Sequence, residues 1–157
     1  MKWILITALL LGCAAPEEKD SATDTTATPL ETPTPIAEEE CFLRVTGRDS
    51  LRLSYTADGD NISGRMMYDN YQKDGSWGTV KGMLEGGLLK VWYDFEAEGM
   101  RSVRRIIFRV EKDHLLPATG ELVVRGDSSL YVDEGKLEFE KEGALQRVEC
   151  GVLRFTF

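Results

Sequence analysis

The sequence has little of what enzymes most often use. It contains a single histidine, His114, and three cysteines that form no CxxC pair. No serine has a base at a recognisable spacing, and one histidine on an expected turn is a poor member of a catalytic triad or a zinc site. No glycine-rich loop leads into a helix that would bind phosphate. We therefore predict no catalytic residues, no metal and no cofactor, and we expect a protein that is not an enzyme.

The apolar run from Trp3 to Leu11 is too short to cross a membrane, since it has about nine residues where a spanning helix needs about 20. Because Lys2 precedes it, it predicts a secretory signal peptide over residues 1–12. The motif that ends it, residues 10–13 (LLGC), resembles the bacterial lipobox. That resemblance implies that Cys13 is lipidated with a diacylglycerol and a further acyl chain such as palmitate. An ordinary signal peptide with a chance cysteine is the alternative.

The residues after Cys13 bear on location. Ala14 stands where the best-known inner-membrane lipoproteins have aspartate, so the resemblance implies the outer membrane. The acidic tract at residues 17–20 resembles the signal that sends some lipoproteins to the cell surface. We therefore expect a protein bound to the outer membrane through its lipid anchor, on the periplasmic face or at the cell surface.

Aromatic residues are missing from residues 14–40, which are rich in Thr, Pro, Ala and Glu. Such a segment cannot bury enough surface to fold, so residues 13–40 are predicted to be a disordered linker that begins with the lipidated cysteine. This linker has one lysine against eight acidic residues, a charge of −7, whereas residues 41–157 have 17 basic against 19 acidic residues, a charge of −2. A nearly balanced domain argues against nucleic acid as a partner.

Two cysteines remain for the predicted domain of residues 41–157, Cys41 at its start and Cys150 near its end. In an exported protein such a pair is expected to be oxidised to a disulfide. Two free thiols are the alternative. The 117 residues of this domain are enough for one hydrophobic core.

Period-two alternation dominates this domain, and no segment has a clear helical period. In Leu89–Ala97 the odd positions are apolar while the even ones are mostly polar, which predicts a strand with one buried face. Glycines within the preceding strand predict a bulge, a bend or a close backbone approach. Residues 111–117 are predicted to be a turn region, and the alternation of Leu153, Phe155 and Phe157 predicts a last strand. The fold class is therefore all-β, a small antiparallel up-and-down β-barrel or barrel-like meander of about 8–10 strands.

The domain resembles a family of uncharacterised outer-membrane lipoproteins from Gram-negative bacteria. The residues that carry the resemblance are Cys41, Tyr68, Lys73, Asp74, Gly78, Thr79, Gly82, Gly86, Tyr93, Phe95, Glu98, Gly99, Ser102, Arg104, Phe108 and Cys150. Arg105 and Gly87 depart from the pattern, in which acidic residues are usual at both positions. The resemblance implies a family and a location but no activity.

Glu98, Ser102 and Arg104 form the candidate polar cluster. Ser102 and Arg104 alternate with the apolar Ile106 and Phe108, so they are expected to face inward, with Glu98 at the preceding turn. Because a buried arginine is costly unless it is paired, one interpretation is a structural ion pair of Arg104 with a carboxylate such as Glu98. The other is a guanidinium at the mouth of a cavity that binds an anionic ligand.

The opposite face of the same strand has Arg101, Arg105 and Arg109, which we expect to be solvated or paired across neighbouring strands. An acidic partner or lipid headgroups are the alternative for these arginines. Trp77 and Trp92 are candidate contact residues.

The function predicted from the sequence is a membrane-anchored, non-enzymatic binding or interaction module of the cell envelope. The first alternative is a carrier of a lipid or small anionic ligand, with a cavity near Arg104. The second alternative is an envelope enzyme of unrecognised type. An interior filled by bulky side chains would favour binding of a protein. A cavity with its mouth at Arg104 would favour binding of a small ligand. Two carboxylates that face each other across a cavity would favour an enzyme.

Overall fold

Eleven strands make up the part of the chain that the computed structural model describes, residues 38–155. The predicted signal peptide, Cys13 and nearly all of the predicted linker lie outside the described residues. The strands are β1 (Glu39–Thr46), β2 (Asp49–Asp58), β3 (Asn61–Asp69), β4 (Ser76–Glu85), β5 (Leu88–Ala97), β6 (Met100–Val110), β7 (His114–Thr119), β8 (Leu122–Arg125), β9 (Ser128–Tyr131), β10 (Glu138–Phe139) and β11 (Leu145–Arg147).

Eight of these strands close into an antiparallel β-barrel, as the sequence predicts. Strands β1 to β7 pair in order, and β11 then pairs with both β7 and β1. The closing ladders place Leu145 opposite Leu115 and Phe42 opposite Arg147. Closure leaves the barrel without a free sheet edge along most of its wall.

Strand β7 is where the sequence-based prediction was wrong, because residues 111–117 were expected to be a turn region. Leu115 and Leu116 are both buried, one facing the barrel core and the other the outer layer, so no alternation marks this strand. The β6–β7 ladder runs over three pairs and stops at Pro117, which lies opposite Phe108. Proline has no backbone N–H to continue such a ladder.

The predicted strand at the C-terminus is also wrong for the residues that the structure describes, because Leu153 to Phe155 are in no strand. These residues follow a short 3₁₀ turn, Cys150–Val152, and Leu153 is buried. The ring of Phe155 lies against Arg65, with the guanidinium carbon 4.5 Å from the ring centroid. Met67 faces outward from β3 and is nonetheless 2% exposed. The C-terminal segment thus covers part of the outer wall.

The three remaining strands lie outside the barrel. Strand β9 pairs in parallel with β6 at Val103 and Arg104, along the part of β6 that β7 does not reach. Strand β8 pairs with β9, and β10 pairs with β7. Ile107 and Leu116 point out of the barrel core but are almost fully buried. The outer layer therefore gives β6 and β7 a second buried face.

The barrel interior is a packed hydrophobic core. Its members are Phe42, Leu51, Leu53, Tyr55, Ile62, Met66, Val80, Leu89, Val91, Tyr93, Ile106, Phe108, Leu115 and Leu145. Burying each large side chain of this kind stabilises the fold by about 1.5–3 kcal/mol relative to leaving it exposed.

Glycines in β4 allow the wall to bend tightly, which confirms the predicted close backbone approach. A Cβ atom at Gly78 would lie 2.0 Å from the carbonyl oxygen of Asp94, and one at Gly82 would lie 1.9 Å from that of Lys90. Both glycines pair with inward-facing residues of β5. Any side chain at these two positions would collide with the neighbouring strand.

The barrel has two different ends. We call "the base" the end at turns 59–60, 86–87 and 111–113, and "the mouth" the end at turns 47–48 and 98–99 and loop 70–75. The predicted disulfide, Cys41–Cys150, is formed near the base, with the two Cα atoms 5.2 Å apart. No helix within residues 38–155 has the length and apolar character needed to span a membrane.

Candidate functional site

The structure separates the three residues of the predicted polar cluster. Glu98 is exposed in the β5–β6 turn with a φ of 53°, and Ser102 is half-buried opposite Phe95. Arg104 lies opposite Tyr93 on the inward face, but at the open mouth, where it is exposed. The expected Glu98–Arg104 ion pair is not formed, and among residues 38–155 no carboxylate lies within 4.0 Å of Arg104.

Arg104 instead lines a cavity of about 250 Å³ at the mouth. This "mouth cavity" opens where β7 diverges from β6 beyond Pro117, and it reaches the inward faces of β1, β2 and β3. Its polar lining consists mainly of Arg44, Tyr68, Arg104, Arg105, Thr119 and Tyr131, and its apolar lining includes Leu51, Ile106, Phe108 and Pro117. None of the residues that line it is acidic or histidine.

The three arginines of the mouth cavity differ in how their charge is matched. Arg105 donates from Nε to Glu134 at 2.8 Å and lies over the ring of Trp92. Arg44 donates only to a neutral group, the carbonyl oxygen of Gly143, at 3.2 Å. Arg104 lies 5.8 Å from the ring centroid of Phe95. Within the described residues, therefore, neither Arg44 nor Arg104 has a carboxylate within 4.0 Å, although Asp49 and Glu142 line a neighbouring cleft together with Arg44.

Tyrosine hydroxyls surround these guanidinium groups. Burial raises the pKa of Tyr68, against the opposing effect of Arg104 and Arg44. Burial also raises the pKa of Tyr131, whose hydroxyl donates to the carbonyl oxygen of Ala118 at 3.0 Å. Both hydroxyls therefore stay protonated at neutral pH. Within the described residues the Tyr68 hydroxyl forms no hydrogen bond, so it is able to donate to a ligand.

A second polar pair lies deeper at the mouth. The hydroxyl groups of Ser76 and Tyr93 are 3.1 Å apart and buried. Burial raises the pKa of Tyr93 to about 12, although the hydrogen bond between Tyr93 and Ser76 acts in the opposite direction. The Tyr93 ring stacks on Phe95, with centroids 4.6 Å apart. This pair holds the aromatic floor of the mouth in place.

The outer-face arginines of β6 are engaged within the protein. Arg101 forms a two-pronged ion pair with Asp94 on β5, which lowers the pKa of that carboxyl. Arg109 lies over the ring of Phe139, 4.2 Å from its centroid. The expected pairing across neighbouring strands is thus formed for Arg101, while Arg105 and Arg109 contact the outer layer.

The two candidate contact tryptophans lie on the outer wall. Trp77 is 52% exposed and Trp92 is 41% exposed. Trp77 borders a groove of about 340 Å³ that is also lined by Met67 and Phe155. The groove is separate from the mouth cavity, since the two share no lining residue.

In the described part of the chain, one group of residues has potential metal-ligand atoms close to one another: Glu39, Cys41 and Cys150. This group does not form a metal site. The disulfide occupies both sulfur atoms, so neither is a thiolate that could bind a metal. Glu39 alone cannot hold an ion there.

Sequence reasoning named Arg104 but missed Arg44, Tyr68 and Tyr131 as its neighbours. Arg44 alternates with Phe42 in β1, which was a usable signal that it faces inward. Its closeness to Arg104 follows only from barrel closure. Comparison of the chain with protein-family models, with curated proteins and with solved structures finds no match.

Proposed function

We propose that this chain is a membrane-anchored, non-enzymatic binding module of the bacterial cell envelope that takes a small anionic ligand in the mouth cavity. The observation that carries the proposal is the presence of Arg44 and Arg104 in one cavity whose lining contains no acidic residue. Arg104 is exposed and Arg44 is partly buried, so both guanidinium groups can be reached from solvent by a ligand that supplies negative charge.

The cavity has the donors that an anion needs. Guanidinium groups form charge-assisted, often paired hydrogen bonds with carboxylate and phosphate oxygens, and these are about twice as strong as neutral ones. The Tyr68 hydroxyl adds a neutral donor to the same lining. The apolar lining at Leu51 and Ile106 would exclude water from the ligand and so strengthen these contacts.

The same lining supports binding rather than turnover. General acid–base catalysis needs a group that titrates near neutral pH beside the reacting atoms, usually histidine or a carboxyl. The mouth cavity has neither among its lining residues. The hydroxyls that are present have raised pKa values and no neighbouring base, which makes them donors rather than nucleophiles.

The anchor is the second part of the proposal and rests on the sequence. A lipid on Cys13 would attach the protein to the outer membrane through the linker of residues 13–40. The barrel receives that linker at its base, where β1 begins at Glu39. The mouth is at the opposite end of the barrel from Glu39.

Native mass spectrometry of the purified full-length protein tests ligand binding. We expect additional mass that disappears on denaturation, and we expect Arg104→Gln to lose it. Arg101→Gln is the matched control, because Arg101 lies on the same strand but on the outer face. The proposal is wrong if the native mass is the bare chain and if added phosphate, sulfate and carboxylate salts all leave the melting temperature unchanged.

A second candidate function, binding of an envelope protein, is favoured by the filled barrel interior and by the exposed side chains of β4 and β5. Met83 is 50% exposed and lies on the same outer wall as Trp77 and Trp92. A photo-reactive group at Met83 is expected to cross-link a partner in cells if this surface is used. The same group at the exposed Val45, near the mouth, is the control.

A further inference from the structure

We propose that the anion bound in the mouth cavity is a phosphate monoester, held by Arg44, Tyr68 and Arg104. This inference deepens the proposed function and rests on it. It specifies the charge, the shape and the size of the ligand, each of which follows from a different feature of the cavity.

The charge of the cavity matches a dianion. Arg105 pairs with Glu134, so within the lining of the mouth cavity two guanidinium groups remain without an ion pair, Arg44 and Arg104. A phosphate monoester has a charge of about −1.5 to −2 at pH 7, whereas a carboxylate has one negative charge. A carboxylate would leave one of the two guanidinium groups without a counter-charge. A phosphate monoester compensates both.

The donors approach from three sides. Arg44 is on β1, Tyr68 on β3 and Arg104 on β6, so they come from separate parts of the barrel wall. All three side chains line the mouth cavity, so a group bound in it is flanked by donors from three parts of the wall. A tetrahedral phosphate has three terminal oxygens directed to different sides, while the two oxygens of a carboxylate lie in one plane. The three-sided arrangement therefore favours phosphate.

The volume limits what else can enter. A cavity needs about 10–15 Å³ of this kind of volume to hold one water molecule, so a cavity of about 250 Å³ has room for a phosphate group. A few further atoms would fit against Leu51, Ile106 and Pro117, and the rest of a larger molecule would extend out of the mouth. A free phosphorylated small molecule and the headgroup of a phosphate-monoester lipid share this chemistry.

The titration of the ligand provides a signature that the protein does not mask. The second pKa of a phosphate monoester is about 6, so the dianion forms between about pH 5 and about pH 7.5. The charged and titratable groups in the lining of the mouth cavity are Arg44, Tyr68, Arg104, Arg105 and Tyr131. Glu134 pairs with Arg105, and Asp49 and Glu142 line a neighbouring cleft together with Arg44 and Tyr68. An increase of affinity that phosphate shows and sulfate does not would therefore arise from the phosphate.

The test is isothermal titration calorimetry on the purified full-length protein at the two ends of that pH range. The probes are glycerol 3-phosphate as a free ester, dihexanoyl phosphatidic acid as the same group on a lipid, glycerate as a carboxylate of similar size, and sulfate as a dianion at both pH values. We expect both phosphates to bind about tenfold more tightly at the higher pH, in proportion to the dianion fraction. Sulfate is expected to show no such change. The phosphate probe with the higher affinity identifies the source of the ligand.

Variants locate the effect. Arg44→Gln and Arg104→Gln are each expected to weaken phosphate binding by about tenfold to hundredfold, as the loss of a charged hydrogen bond requires. Tyr68→Phe is expected to weaken it less, and Arg101→Gln not at all. If glycerate binds as tightly as the phosphates with no pH dependence, the phosphate assignment is wrong and the anion site stands. If no probe binds, the proposed function fails as well.

Discussion

The two ends of the barrel are formed by the same strands but treat charge in opposite ways. At the base, Glu40 on β1 forms an ion pair with Arg147 on β11, and Arg147 also lies over the ring of Phe42, 4.9 Å from its centroid. At the mouth, Arg44 on β1 and Arg104 on β6 have no carboxylate among the described residues.

This difference separates stability from binding. The base combines an ion pair, a covalent bridge and closure of the barrel by β11, all within a few residues of each other. The mouth lacks such a closing contact because β7 stops pairing with β6 at Pro117. The opening that this leaves is the cavity that we propose as the ligand site. Changes at the base should therefore affect folding, and changes at the mouth should affect binding.

The largest effect is expected from removing the disulfide. The Cys41–Cys150 bridge closes a loop with a sequence separation of 109, and the chain-entropy model assigns a loop of this length about 4–5 kcal/mol. We expect the Cys41→Ala, Cys150→Ala double variant to lose about that much in urea unfolding monitored by tryptophan fluorescence. Wild-type protein under reducing conditions is the control. Equal stability of the oxidised and reduced forms would contradict an anchoring role for the base.

A strongly alkaline solution should weaken the mouth first. The pKa of Tyr93 is raised to about 12 by burial, whereas an unfolded tyrosine has a pKa of about 10. Between these values the folded protein keeps a proton that the unfolded chain releases, so stability is full below about pH 10 and falls as the pH rises, by roughly 3 kcal/mol at most.

The variant Tyr93→Phe should reduce this alkaline loss in urea unfolding curves recorded across that pH range. Tyr71→Phe, at an exposed loop position, is the matched control. An alkaline loss of equal size in Tyr93→Phe would mean that other buried tyrosines, Tyr68 among them, cause it.

The ion pair at the base should contribute less to the free energy of unfolding than the disulfide does. Arg147→Gln leaves the half-buried carboxylate of Glu40 without its cation, and an unsatisfied group of this kind costs about 1–3 kcal/mol. We expect a lower urea midpoint with an unchanged slope. The double variant Glu40→Gln, Arg147→Gln should recover part of the lost free energy of unfolding. If it recovers none, the contact of Arg147 with Phe42, rather than the charge of Arg147, stabilises the base.

The smallest effect on stability is expected at Arg104. Because Arg104 is exposed and has no carboxylate within 4.0 Å among the described residues, Arg104→Gln should change the free energy of unfolding by about 0.5 kcal/mol or less. The matched Arg147→Gln variant at the base is the comparison. If Arg104→Gln proves the more destabilising of the two, the guanidinium of Arg104 has a structural role at the mouth.

Much of the barrel could be predicted because inward and outward positions alternate along most of its strands. Leu89, Val91 and Tyr93 are buried while Trp92 between them is exposed, as the period-two pattern requires. Strand β7 could not be predicted in this way, since Leu115 and Leu116 are buried on opposite faces by two different layers. The outer layer that causes this is not visible in a local pattern.

The candidate site could be predicted only in part, for a physical reason. The inward position of Arg104 follows from its spacing to Ile106, which is a local property of one strand. Whether Arg104 finds a carboxylate depends on which strands meet at the mouth, and this is decided by closure through β11 and β7. The nearest acid in sequence, Glu98, is directed elsewhere because it occupies a turn with positive φ.

The position of the disulfide also has a mechanical consequence. Cys41 is the third residue of β1, and Cys150 follows the last barrel strand, so the covalent bond spans every strand of the barrel. A force applied to the chain on either side of the bridge passes from Cys41 to Cys150 through the sulfur atoms, so in β1 it loads only the pairs that Glu39 and Glu40 form with β2. While the bridge is oxidised, the rest of the barrel cannot be unravelled from its ends.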